Sequence, residues 1–462
     1  MTQVLTQLHL GLGSFHRAHQ ALYMQFLHDI GDTSWEIAGG NIRADMSELI
    51  DALESQAGQY MLETVNSKGD RKYKQISAIK RIVKWDKALA GLTAVAVEPN
   101  TRIISFTVTE AGYYLDTSDR LDQSYADLVT DLKGETCCTL YGALARILDA
   151  RRVANAGPVT LMNCDNLRSN GDRFAKGFKQ FLELRGQAEL LAWVEANTCS
   201  PNAMVDRITP RPTAAVAQRV KAATGIDCKA ALMGEAFIQW VIEDHFIAGR
   251  PAWEKVGVEL VEDVMPFEEA KIRILNATHS CIAWAGSLAG LSYIHEGTLD
   301  EEICQFAHDY VTQNVIPCLT PCPLPLDSYR DVVLDRFANP NIQDTNSRVA
   351  MDGYSKLPGF ILPTIKESLE KGLALDAVAM LPAFYLSFML REQQGLIPFP
   401  YEDQLMNNAS IKRIVNSDDP VAAFVGEPLL FNDLAGNDQI VSAMRAAFVR
   451  SEAFTKSRGA FK

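Results

Sequence analysis

The chain has 462 residues, 47% hydrophobic and 22% charged, which is the balance of a folded protein and enough length for two cores instead of one. Its 57 acidic residues against 44 basic ones leave a formal charge of −13, which repels nucleic acids and anionic membrane surfaces, and no Lys/Arg-rich run overrides it. Met1–Leu10 lacks the basic flank and apolar core of an export signal, so a cytoplasmic protein with nine reduced cysteines is expected.

Gln7–Leu10 reads as a first strand, Ala18–Asp29 as a helix and Glu36–Gly39 as a second strand, together a βαβ unit. Between the first strand and the helix stands Gly11-Leu12-Gly13-Ser14-Phe15-His16, with two glycines of the dinucleotide fingerprint and His16 where a third would be. The first glycine permits a tight turn, and the second lets a pyrophosphate approach backbone N–H groups at the helix start. Gly11, Leu12, Gly13, Ser14 and Phe15 are therefore the expected cofactor-binding loop of a Rossmann-like domain. The second strand runs into Gly39-Gly40-Asn41-Ile42-Arg43 without the usual acidic residue, and Asp45 lies just beyond. Asp45 suits ribose hydroxyls and disfavours a 2′-phosphate, whereas Arg43 would do the reverse; NAD is expected over NADP. Ile103–Val108 and Val159–Met162 are further strands of a mostly parallel sheet.

From Glu268 onward Ala- and Leu-rich amphipathic stretches replace the strand-like runs. The expected architecture is α/β, with an N-terminal Rossmann-like NAD-binding domain over 1–267 and a mainly α-helical substrate and catalytic domain over 268–462. Leu373–Leu390 is the most apolar stretch, but it carries Asp376 and Pro382 and reads as a buried helix rather than a membrane span. Cys137 with Cys138 and Cys318 with Cys322 are the close cysteine pairs, and no second Cys/His cluster accompanies them; no metal site is expected.

Glu268-Glu269-Ala270-Lys271-Ile272-Arg273-Ile274-Leu275-Asn276-Ala277-Thr278-His279 reads as a helix start. At about 100° per residue, Glu268, Lys271, Asn276 and His279 fall within an arc of roughly 140°. One face would gather an amine, an amide, an imidazole and a carboxylate, the groups a zinc-independent alcohol dehydrogenase needs as base, oxyanion donors and proton relay. From spacing alone, a solvated polar face is the simpler account.

With GLGSFHRAHQ at Gly11–Gln20, LMNCDNLRSNG at Leu161–Gly171, AMVDRITP at Ala203–Pro210 and NSRVAMDGYSKLP at Asn346–Pro358, the chain resembles the polyol-specific long-chain dehydrogenases and reductases, the mannitol dehydrogenase family, over nearly its whole length. The resemblance implies that Lys271 is the catalytic base, Asn276 and Asn166 (rather than Asn170) the oxyanion-hole amides, and Glu268 a proton-channel carboxylate. It implies that His279, Asp206, Arg348 and Lys356 contact substrate. Thr198 and Tyr354 depart from the family pattern without removing a functional group. Plainer roles stand beside these: Asn166 capping a turn, Asp206 pairing Arg207, and Arg348 bridging to Asp352 along a helix. Within the family, HLGLGSFHRAHQ and AGGNIR are most like the members that oxidise D-arabinitol at C4 to D-xylulose. Mannitol 2-oxidation and hexuronate reduction are the neighbouring alternatives. A non-catalytic nucleotide-binding regulator is the alternative from another class, and a monomer is the implied state.

Overall fold

The computed structural model describes residues 3–116, 119–403 and 405–461. The chain divides into two compact units, one of Met1–Val65 with Arg71–Met265, the other of Asn66–Asp70 with Pro266–Lys462.

The first unit is built on six parallel strands: β1 Leu5–Leu10, β2 Trp35–Gly40, β3 Ile79–Val83, β4 Thr101–Phe106, β5 Val159–Asn163 and β6 Thr198–Cys199. They lie side by side as β3-β2-β1-β4-β5-β6, the order of a doubly wound dinucleotide-binding sheet. Such a sheet is covered on both faces, so its central strands are buried almost throughout, and β5 along its whole length. Polar residues on the central strands are satisfied sideways: Gln7 Nε2 donates to Ser105 Oγ at 2.9 Å, and that hydroxyl lies 2.9 Å from His9 Nδ1. The four strands expected from the sequence are present. The expected helix is two, α1 Ser14–Ala18 and α2 Gln20–Asp29, broken at His19, whose Nε2 lies 2.9 Å from the Gln239 carbonyl. Two three-stranded sheets escape the sequence reading. One joins Leu232–Glu235, Tyr60–Val65 and Arg71–Ile76; the other joins Glu259–Val261, Gln239–Glu243 and Ala203–Asp206. Several members are short, such as Glu259–Val261, and Arg71–Ile76 is half charged, so these carry little hydrophobic signal.

The second unit contains helices and no strand among its described residues, only an isolated bridge between Tyr293 and Thr345. Its central helix, Ala277–Leu288, is buried at every position except His279, so its surroundings are protein on all sides. It packs against Met380–Gln393, which in turn packs against Asp438–Arg458. Three segments are π-helical: Lys271–Asn276, Val311–Val315 and Leu357–Ile361. The first touches both of the others. Among the described residues no helix is long and apolar enough to cross a membrane. All nine cysteines are free thiols.

Candidate active site

Gly11 leaves β1 with φ of +109°, a conformation that favours glycine, and a Cβ there would stand in tight contact, 3.2 Å from the Thr107 carbonyl oxygen. The Gly13 N–H donates to the Gly11 carbonyl at 2.7 Å and closes the turn into α1. Leu12 serves the packing of the loop itself. Its N–H donates to Asn41 Oδ1 at 2.8 Å, and its side chain lies under Gly39, where a Cβ would come within 2.6 Å of it. His16, at the third-glycine position, stacks on His9 with ring centroids 3.4 Å apart. His9 Nε2 in turn lies 2.9 Å from the Gly11 carbonyl, so the ring pair supports the turn from below. Burial keeps both rings neutral, pushing His9 down to about 3 and His16 well below the usual imidazole range.

This turn borders a cavity of about 480 Å³ whose wall includes Gly13, Asn41, Arg43, Asp45 and Asp127. Asp45 is exposed there. Arg43, the competing cation of the sequence reading, is engaged by the protein: Nε donates to the Cys138 carbonyl at 2.7 Å, and Nη2 to Tyr114 Oη at 3.0 Å and Asp127 Oδ2 at 3.1 Å. A positive-φ glycine at the turn into a helix that starts at Ser14 and an exposed carboxylate, both on the wall of one cavity, fit a dinucleotide.

After β5 the chain forms a tightly bonded loop. Asn170 is fully buried and its amide is spent on the backbone: Nδ2 donates to the carbonyls of Asp165 at 2.8 Å and Ala203 at 2.7 Å, and Oδ1 accepts from the Ala203 N–H at 2.9 Å. Asn166 is exposed. Of the two asparagines, it is Asn170 whose amide is used up structurally: it ties its loop to the strand Ala203–Asp206 that ends in the buried Asp206. Asp165, a residue the sequence reading passed over, accepts from the N–H groups of Val108 and Thr109 at 2.8 to 3.0 Å and from Tyr113 Oη at 2.6 Å. Burial raises its pKa, and these donors oppose the rise. Arg207 is held by the Glu235 carbonyl, to which Nε donates at 3.0 Å, and by that of Ala18.

In the helical unit, Glu268 and Lys271 are each 5% exposed. Glu268 lies on the α-helix Met265–Ala270, but Lys271–Asn276 is a π segment, which corrects the expected regular α-helical wheel. In a π turn residue i bonds to i+5, so Lys271 and Asn276, about 140° apart on an α-helix, stand one turn above the other. Buried Arg273 faces away to a carboxylate pair, with Nε donating to Glu269 at 2.7 Å and Nη2 to Glu367 at 2.8 Å.

His279 stacks on Phe337 at 4.4 Å between centroids, and its Nε2 lies 3.2 Å from Asp344 Oδ2, within ion-pair range although not aligned as a hydrogen bond. Burial lowers the pKa of the imidazole, with Asp344 pulling the other way. Arg348 grips the same carboxylate, Nε to Oδ1 at 2.7 Å and Nη2 to Oδ2 at 2.5 Å. Its partner is thus Asp344, one turn before it, and not Asp352, one turn after; Asp344 is the second site residue that sequence reasoning missed. Burial alone would raise the Asp344 pKa, but His279 and Arg348 outweigh it and hold the carboxyl well below its usual range. Lys356 donates from Nζ to the Val349 carbonyl at 2.6 Å. Tyr354, one of the departures from the family pattern, is buried with its hydroxyl 3.0 Å from Ser410 Oγ and its N–H donating to Asp403 at 2.8 Å, so it braces the Lys356 segment.

Comparison with known proteins agrees with both units. The family model for the mannitol dehydrogenase Rossmann domain matches residues 6–255, and that for the mannitol dehydrogenase C-terminal domain matches residues 263–450. The chain is 56% identical to D-arabinitol 4-dehydrogenase of Ralstonia nicotianae, covering 98% of this chain and 97% of that one. It is 52% identical to D-arabinitol 4-dehydrogenase of Klebsiella pneumoniae, covering 96% and 98%. Among solved structures, Pseudomonas fluorescens mannitol 2-dehydrogenase in ternary complex with NAD and D-mannitol is similar at a TM-score of 0.82 and 32% identity, covering 99% of this chain and 94% of that one. With both family models placed end to end and relatives matching along almost the full length, the chain belongs to the mannitol dehydrogenase family.

Proposed function

We propose that this polyol dehydrogenase of the mannitol dehydrogenase family oxidises a secondary hydroxyl of a linear polyol, D-arabinitol to D-xylulose, with NAD as oxidant and Lys271 as general base. The substrate follows the two relatives named for D-arabinitol, which are at least 52% identical along nearly the whole chain. The observation that carries the chemistry is the buried Lys271 one π turn from Asn276.

NAD, when bound, supplies the acceptor for the hydride that leaves the carbinol carbon. Gly11, Gly13, Ser14 and Phe15 would hold its pyrophosphate and Asp45 its adenosine ribose. Lys271 takes the hydroxyl proton, a task for an amine kept from water, because burial disfavours the charged form of a base. Glu268, three residues earlier on the preceding helix, passes that proton outward. The amide of Asn276 donates to the oxygen as negative charge develops on it, and Asn166 has the same role. His279, Arg348, Lys356 and Asp206 bind the hydroxyls that do not react.

The test is a panel of D-arabinitol, D-mannitol and other pentitols and hexitols, each with NAD and NADP. D-arabinitol with NAD is expected to give the highest kcat/KM. Lys271→Met, which keeps the bulk and removes the base, should lose about 10²–10⁴-fold in kcat/KM with NADH affinity unchanged. Near-normal oxidation by Lys271→Met would sink the assignment of the base; a preference for NADP would sink the cofactor assignment.

A further inference from the structure

We propose that Asp344 determines specificity for uncharged polyols: it fixes His279 and Arg348 in place and cancels the arginine charge that would otherwise admit a carboxylated sugar. This rests on the functional reading above.

The placement of Asp344 is over-determined. Its carbonyl accepts from the Ile294 N–H at 2.9 Å, and the neighbouring Thr345 forms the isolated bridge with Tyr293. Its side chain is 9% exposed, whereas that of Arg348 is 66% exposed. An arginine so exposed would ordinarily sample many rotamers. Here Nε and one terminal nitrogen are committed to a buried carboxylate in a two-pronged fork, and the other terminal nitrogen has no protein partner among the described residues. That remaining edge is a fixed donor, suited to one hydroxyl oxygen. The same carboxylate stands against His279 Nε2 at 3.2 Å while Phe337 covers the ring face, so two groups read as substrate contacts share one anchor.

The charge balance follows from the same geometry. Arg348 and Asp344 together are neutral, and Lys356 has one of its donors taken by the Val349 carbonyl. A polyol needs donors and acceptors without net charge, and the Arg348–Asp344 pair provides them. A hexuronate brings a carboxylate, which needs a cation not already paired, and Asp344 both occupies Arg348 and presents like charge.

The experiment compares wild type, Asp344→Asn and Asp344→Glu in polyol oxidation with NAD and in D-fructuronate and D-tagaturonate reduction with NADH, with NADH affinity and thermal midpoint measured alongside. Asp344→Asn keeps the shape and removes the charge. Its polyol KM should rise about 10- to 100-fold, the range for losing a charge-assisted hydrogen-bond partner, with a smaller change in kcat. Its uronate-to-polyol ratio of kcat/KM should rise at least about tenfold, the scale of one additional charge-assisted hydrogen bond to the uronate carboxylate. Asp344→Glu keeps the charge, so it should continue to exclude uronates even where its polyol KM suffers. A merely structural role would move both variants alike and leave the substrate ratio unchanged; that result overturns the proposal, as does a polyol KM in Asp344→Asn within about twofold of wild type. Wild-type protein inert towards every polyol, or preferring uronates, would overturn the functional reading and this inference together. Failure confined to the variants counts against Asp344 alone.

Discussion

Lys356 is a candidate substrate contact whose ionisation falls near working pH. Burial brings it down to about 8, with Arg348 adding to the fall and Asp352 opposing it. Below that pH it is an ammonium with a charge-assisted bond to offer a hydroxyl; above it, that charge is gone. The polyol KM should therefore rise as pH passes through about 8. Lys356→Arg, which stays protonated, should abolish that inflection; an inflection that persists in the variant belongs to another group, with Lys271 the first to examine. Lys271, Asn276, His279, Arg348 and Lys356 stand out in the sequence as a candidate set because their residue types and spacings match a family pattern. Asp344 does not. An aspartate four residues before an arginine is the ordinary surface pair, Asp352 offered the same spacing on the other side, and only the tertiary position of His279 and Phe337 shows that Asp344 is buried.

At the level of elements, β1, its turn and α1 behave as one piece because His16 lies flat on His9 and His9 reaches the Gly11 carbonyl. In the usual fingerprint a third glycine lets helix and strand approach; here a pair of stacked rings fills the space instead. His16→Ala should leave a cavity beneath the turn, destabilise the protein by about 2–4 kcal/mol in urea unfolding, and weaken NADH binding. His16→Phe should preserve both, since it can still stack. Equal NADH affinity in His16→Ala and wild type would show that the ring pair does not support the turn. The departure of His16 from the fingerprint was visible in the sequence, but its consequence was not, because stacking depends on where β1 places His9. The π segment was hidden for a related reason: helical wheels assume a constant turn, and nothing short of the backbone shows that Lys271 and Asn276 sit at i and i+5 of a wider one.

For the molecule as a whole, the buried imidazoles set how it meets acid. His9, held down to about 3, and His16, held well below its usual range, stay neutral in the folded state, while in the unfolded chain both titrate near about 6.5. The unfolded state therefore binds more protons as soon as pH drops below that value, and stability falls by about 1.4 kcal/mol per pH unit for each withheld proton. Urea midpoints should decline from about pH 6.5 downward, before the carboxylates titrate, and continue to fall as Asp344, whose folded pKa is depressed, is protonated. A flat profile between about pH 7 and 5 would contradict this.

Length is another property carried by the whole chain, and the π turn from Lys271 to Asn276 gives it a specific meaning. Such a turn holds one residue more than the α turn it interrupts. The alignment of Lys271 with Asn276 is thus what an uninterrupted α-helix would give to a lysine and an asparagine one position closer together. A single-residue gap opened between these two positions when chains are aligned would record a true change in the winding of the helix and not an alignment error. A search pattern that fixed four residues between lysine and asparagine would overlook sites that reach the same arrangement with three.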